Sequence, residues 1–238
     1  MNARRSWMIV PAHDAAAVER AQEVEPDVVV LDLEYSVPPK AKDAARVGLG
    51  ALVKKLGDSQ TTVFVRIDRE ARWADARAAV HRGIGGIVFP GPEAAEEVAE
   101  LDALISQMEH ERGVEPGTTE IALMLESAKG YWNALALAQA SPRVTTLGVG
   151  RIDLTMALGP VPQNEFRFYR FLMTRALVAA RTAGKTPLGA LWRPGSRGGV
   201  APKDGTAKAA RDARLLGFVG CVCATPEQVA AVNEGFSS

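Results

Sequence analysis

Eight times along the chain a short β-branched or apolar run gives way to a stretch with helical spacing. The runs cover residues 7–11, 28–34, 63–68, 85–90, 121–126, 144–150, 188–193 and 218–225. The segments between them carry apolar residues on one face. In 92–112, for example, Val98, Leu101, Leu104, Ile105 and Met108 share a stripe. Helices are expected over 15–25, from the Pro38-Pro39 break to 56, and over 74–82, 92–112, 130–140, 163–184, 204–216 and 226–236. Asp14 is the expected N-cap of the first, and Gly83 the stop of the third. A loop after Gly148-Val149-Gly150 would carry Asp153, and 194–202 reads as loop.

The run Val28-Val-Val-Leu-Asp32 is almost continuously apolar, the pattern of a strand covered on both faces. Eight β/α units in 238 residues predict a (β/α)8 TIM barrel, an α/β fold forming a single domain over 1–238. The competing fold is a doubly wound open sheet. It would often place a glycine-rich phosphate loop after the first strand, and Pro11-Ala-His-Asp14 is not one.

Composition narrows the function. With 47% hydrophobic and 24% charged residues, the chain is an ordinary globular one. The 28 Lys and Arg balance 28 Asp and Glu, so no net field recruits nucleic acid or an anionic membrane. No apolar run approaches the ~18 residues of a membrane span, and no apolar segment before Pro11 suits a signal peptide. The two cysteines, Cys221 and Cys223, fall on one side of the last strand and read as small core residues. A cytoplasmic location is expected.

In such a barrel the chemistry sits at the carboxyl ends of the strands. Polar residues at those ends are Asp32, Glu34, Arg66, Glu126 and Asp153. Glu126 and Asp153 belong to neighbouring strands. Two carboxylates there suit Mg2+, which keeps few protein ligands and leaves sites for water and substrate. Asp32 and Glu34 share a face of strand 2 and would hold metal-bound water or pair with Lys42 and Arg46. Arg66 in a buried strand needs an anion. It would bind a carboxylate or stabilise a developing enolate, or else pair with Asp32 or Glu34. Gly150 would offer backbone N–H to a carboxylate. His13, His81 and His110 are scattered, with the last two on expected helices. Gly-x-Ser-x-Gly, Walker and zinc motifs are absent from the sequence.

Several segments follow the order of a known family: Arg5-Ser6…Val10-Pro11, Leu31-Asp-Leu-Glu-Tyr-Ser-Val37, Lys42-Asp-Ala-Ala-Arg46 and Val65-Arg66-Ile67. Leu125-Glu126-Ser127, Gly150-Arg-Ile-Asp153-Leu154 and Gly217-Phe-Val-Gly220 continue it. The chain resembles the citrate lyase beta-subunit group of the HpcH/HpaI aldolase family over nearly its whole length. The resemblance implies a barrel assembled as a homotrimer or hexamer. It also implies a carbon–carbon lyase acting through a metal-stabilised enolate on a small carboxylic or 2-oxo acid, free or as a CoA thioester. It implies Glu126 and Asp153 as ligands of Mg2+, with Mn2+ the alternative. Arg66 would contact substrate, Asp32 and Glu34 would line the metal's outer shell, and Arg5 would join the substrate contacts. The sequence departs from the family pattern at Tyr35, Gly91, Cys221 and Thr225. It ends at Ser238 without the C-terminal lid expected of longer relatives. A CoA tail would then meet only Arg193, Arg197 and Lys203, so free acids are expected to bind better than thioesters. Two other readings stay open: a CoA-independent aldolase on a hydroxy-oxo acid, and a diverged, non-catalytic ligand-binding paralogue.

Overall fold

The computed structural model describes residues 4–57, 61–158, 165–190 and 203–237. Eight parallel strands close into a barrel in chain order: β1 (Ser6–Pro11), β2 (Val28–Asp32), β3 (Thr62–Arg66), β4 (Gly86–Pro90), β5 (Glu120–Leu125), β6 (Val144–Val149), β7 (Thr186–Ala190) and β8 (Gly220–Cys223). β8 returns to β1 with Ser6 opposite Cys221 and Met8 opposite Cys223. The helices are α1 (Ala15–Val24), α2 (Lys42–Gly57), α3 (Arg72–Ala79), α4 (Ala95–Arg112), α5 (Ala128–Trp132), α6 (Ala134–Gln139), α7 (Arg151–Leu158), α8 (Glu165–Thr182), α9 (Lys203–Leu216) and α10 (Glu227–Ser237).

Alternation along each strand divides the apolar residues between two cores. Trp7, Val28, Val30, Phe64, Val88 and Met124 belong to the cluster that fills the barrel, where Trp7 and Phe64 pack with ring centroids 4.8 Å apart. The intervening residues, such as Val29, Leu31, Val63 and Val65, meet the helices in a second core. Cys221 and Cys223 lie fully buried in this outer layer as free thiols. Burial raises both, Cys223 to about 12, as small core residues should behave.

The amino-terminal floor is held by ion pairs. Arg4 Nη1 lies 2.6 Å from Glu120 Oε2, and Arg143 Nη2 lies 2.6 Å from Glu109 Oε2. Glu109 also accepts from the backbone N–H groups of Gly117 and Thr119.

Two local expectations change. The helix expected over 130–140 breaks into α5 and α6 at Asn133, whose side-chain amide donates to the Glu93 carbonyl and which caps α6 from φ −88°, ψ 10°. Asp153 sits not in a loop but in the first turn of α7, where a helix N-terminus favours an acid. Asp14 caps α1 as expected, accepting from Ala17 N at 3.0 Å. The seventh run was expected to reach Arg193, which lies outside the described residues. No described helix is long and apolar enough to cross a membrane.

Candidate active site

The barrel mouth continues the inward rows of the strands. Val28 and Val30 lead to Asp32, Phe64 to Arg66, and Ala122 and Met124 to Glu126, each two residues further on. Register then does the rest: Asp32 and Arg66 are direct partners across β2 and β3. The polar residues end up together because each strand leaves its apolar barrel filling at the same level.

Asp32 is fully buried and fully engaged. Its Oδ1 accepts from Arg66 Nε at 2.6 Å and from Glu34 N at 2.9 Å. Its Oδ2 accepts from the backbone N–H and hydroxyl of Ser36. Burial opposes its charge, but Arg66, Ser36 and the Glu34 N–H prevail and hold the carboxyl below its usual range. Lys42 and Arg46 are not its partners. Lys42 pairs with Asp68, and Arg46 with Asp43 and the fully buried Asp75. The cation beside Asp32 and Glu34 is Arg66, 3.6 Å from Glu34 Oε2.

Glu34 and Glu126 have the opposite environment. Glu34 is buried, and its Oε2 has no hydrogen-bond partner. Burial pushes its carboxyl up to about 7; Arg66 opposes this, while Glu126 and Asp32 add to it. Burial likewise raises Glu126 to about 7, and the Asp153 charge adds to it against Arg66 and Arg69. Two neighbouring carboxylates that resist ionising together mark a place where a divalent cation is welcome.

Two residues of the site carried no sequence expectation. Arg69, three residues past β3, places Nη2 2.8 Å from Glu126 Oε2. Tyr35, exposed at 65%, donates its hydroxyl to Asp153 Oδ1 at 2.8 Å, and the Arg66 guanidinium carbon lies 5.5 Å from its ring centroid. Burial, together with this hydrogen bond to Asp153, raises the Tyr35 hydroxyl to about 12. Glu34, Glu126, Asp153, Arg66, Arg69 and Tyr35 thus form one electrostatic cluster.

Two expected members do not serve as anticipated. Arg5 precedes β1, on the barrel floor rather than at its mouth. Its guanidinium holds Asp27 at 2.8 Å and donates to Ser237 Oγ. Gly150 spends its N–H on the Leu125 carbonyl, so this group is not available to a substrate carboxylate. What Gly150 provides is space, since a Cβ there would lie 2.3 Å from Glu126 Cγ. Arg193 and Arg197 lie outside the described residues, as does the side chain of Lys203.

Among the described residues no three Asp, Glu, His or Cys side chains form a complete metal cage. Glu126 and Asp153 still fit Mg2+, which commonly takes one or two carboxylates and completes its shell with water and substrate oxygens. Four carboxylates (Asp32, Glu34, Glu126 and Asp153) against two guanidiniums (Arg66 and Arg69) leave a negative excess for it to neutralise.

The sequence profile described as HpcH/HpaI aldolase/citrate lyase matches residues 5–226. Citrate lyase subunit beta of Haemophilus influenzae is 28% identical over 240 residues, covering 100% of this chain and 81% of the relative. An L-malyl-CoA/beta-methylmalyl-CoA lyase of Cereibacter sphaeroides is 27% identical over 257 residues, covering 98% and 79%. Among solved structures, the citrate lyase beta subunit from M. tuberculosis complexed with oxaloacetate and magnesium matches with TM-score 0.78 and 25% identity, covering 100% of this chain and 98% of that one.

Proposed function

The chain belongs to the HpcH/HpaI aldolase/citrate lyase family, a group of carbon–carbon lyases. From that premise we propose that it is a Mg2+-dependent lyase that cleaves or forms a C–C bond in a small hydroxy acid, free or as its CoA thioester. The observation that carries the reading is the pair Glu126 and Asp153 at the barrel mouth, the first raised by burial and by the charge of the second. These two residues would hold the ion. When bound, it supplies Lewis-acid polarisation of the oxo acid.

The chain's own residues divide the remaining work. Arg66, fixed by Asp32, brings positive charge to an enolate as the C–C bond breaks and its electron pair passes to the departing fragment. Asp32, with every strong donor around it satisfied, stays ionised and orients Arg66. Glu34, raised to about 7 and carrying an oxygen that no hydrogen bond engages, is the group suited to take the hydroxyl proton and return it to carbon. The buried reduced thiols fit a cytoplasmic enzyme. We place the chain in a homotrimer or hexamer, which light scattering would read.

The test is turnover. Malyl-CoA, citrate and citramalate are offered with Mg2+, with EDTA, and to Glu126→Gln and Asp153→Asn. C–C cleavage that needs Mg2+ and falls by a hundredfold or more in both variants supports the reading. Absence of cleavage across the panel, with Mg2+ bound, would assign the chain to the non-catalytic ligand-binding alternative.

A further inference from the structure

Arg69 reaches the site across the space that position 91, lacking a side chain, leaves open. Gly91 follows β4 with φ +56°, and its N–H is tied to the Met124 carbonyl at 2.9 Å, two residues before Glu126. A Cβ built on Gly91 would lie 2.1 Å from Arg69 Nη2, 2.5 Å from Cζ and 3.0 Å from Nε. A side chain there would have to displace the guanidinium from this seat, and would also be strained by the left-handed φ. Seated in that space, Arg69 touches Glu126 through Nη2.

That contact does not use up the group. Arg69 is 44% exposed, whereas Glu126 is 3% exposed. A guanidinium carries five donors in a planar fork. Among the described residues, other cations near it are committed elsewhere: Arg66 is mostly buried against Asp32, Lys42 holds Asp68, and Arg72 holds Glu97. Arg69 thus offers an open, fork-shaped cation on the outer side of Glu126. An acid whose oxo-carboxylate end met the Glu126–Asp153 pair could turn its far end toward this cation.

We infer that Arg69, in the seat left by Gly91, is a specificity-determining residue that grips the second carboxylate of a dicarboxylic 2-oxo acid. The inference rests on the proposed reading of the mouth as a metal-and-acid site. It adds a preference for two carboxylates over one.

The test compares oxaloacetate and pyruvate by calorimetric titration at saturating Mg2+, using wild type, Arg69→Gln, Arg69→Lys, Gly91→Ala and the double variant Arg69→Gln/Gly91→Ala. Losing a charge-assisted fork should cut the oxaloacetate-to-pyruvate affinity ratio by about ten- to a hundredfold in Arg69→Gln. Arg69→Lys keeps charge without the fork and should recover part of the ratio. Gly91→Ala should lower the ratio in the same direction as Arg69→Gln, and the double variant should lose nothing beyond Arg69→Gln, because both changes act on one interaction. If Gly91→Ala does not fold, the two Arg69 variants decide. An unchanged ratio in Arg69→Gln, with wild type binding both acids, overturns this inference alone. Wild type that binds neither acid with Mg2+ overturns the metal-and-acid reading beneath it. Loss of affinity for malyl-CoA but not oxaloacetate in Arg69→Gln would also overturn it, since Arg69 would then be serving the thioester's phosphates.

Discussion

Replacing Asp32 by Asn probes the hinge of the whole cluster. Asp32 is completely buried and accepts four hydrogen bonds, two on each oxygen. An asparagine of the same shape keeps one acceptor oxygen and turns the other into a donor. It also leaves Arg66, mostly buried, without its direct counter-ion. Removing one member of a buried pair costs roughly 3–5 kcal/mol. Arg66 retains Glu34 Oε2 at 3.6 Å as a weaker partner, which puts the expected loss near the lower end, about 3 kcal/mol. For a chain of this size that is a fall in Tm of about 6–12 °C, read by calorimetry or circular dichroism on metal-free protein. A second consequence follows from charge. Asp32 raises Glu34 and Arg66 lowers it. Losing Asp32 while freeing Arg66 should therefore bring Glu34 down from about 7. The acid limb of the kcat/KM profile should move to lower pH. A melt within about 2 °C of wild type would show that the pair does not hold Arg66. An acid limb that stays in place would remove Glu34 as the proton carrier.

Arg66→Lys keeps the charge but loses the Nε contact to Asp32, so turnover should fall at least tenfold while the melt drops by only a few degrees; equal kcat/KM would take Arg66 out of the site. Burial raises Glu34 and Glu126 to about 7 from an ordinary 4.5, so both resist ionising when folded. Metal-free protein should therefore be most stable below about pH 4.5 as far as these groups are concerned. It should lose up to about 3 kcal/mol per group as pH rises through 7, with Mg2+ flattening the slope; equal pH slopes of Tm with and without Mg2+ would contradict this. At the barrel floor, burial opposes the charge of Glu109, but Arg143 and backbone N–H groups hold the carboxyl down to about 2. Glu109→Gln should cost about 3 kcal/mol and leave kcat unaltered, because the floor is remote from the mouth; a changed kcat at full folding would refute that separation.

Much of this was legible in the chain because strand periodicity and strand ends are local signals. The eight runs marked the strands to within a few residues, and two-residue alternation carried Asp32, Arg66 and Glu126 onto the inner face. What escaped was non-local. Arg69 looks like a loop residue until Gly91, 22 positions later, vacates the space beside Glu126. Tyr35 was noticed only as a departure, since nothing in the sequence says its hydroxyl meets Asp153 from the far side of the barrel. Arg5 entered the site through the family resemblance alone, although its place before the first strand already pointed to the floor. Standing before β1, it is bound to Asp27 on the floor. Gly150 was read for its N–H, although the strand ladder had already claimed that group for Leu125. The break at Asn133 likewise depends on a carbonyl 40 residues away.

The central claim is that Glu126 and Asp153 jointly hold the ion that receives the acid. A crystal structure of the chain with Mg2+ and oxaloacetate tests it most directly. The account predicts one ion with an oxygen of each carboxylate at ~2.0–2.1 Å, the acid completing its shell and water filling what remains. An ion bound away from this pair, or an acid seated elsewhere with both carboxylates unligated, would contradict it.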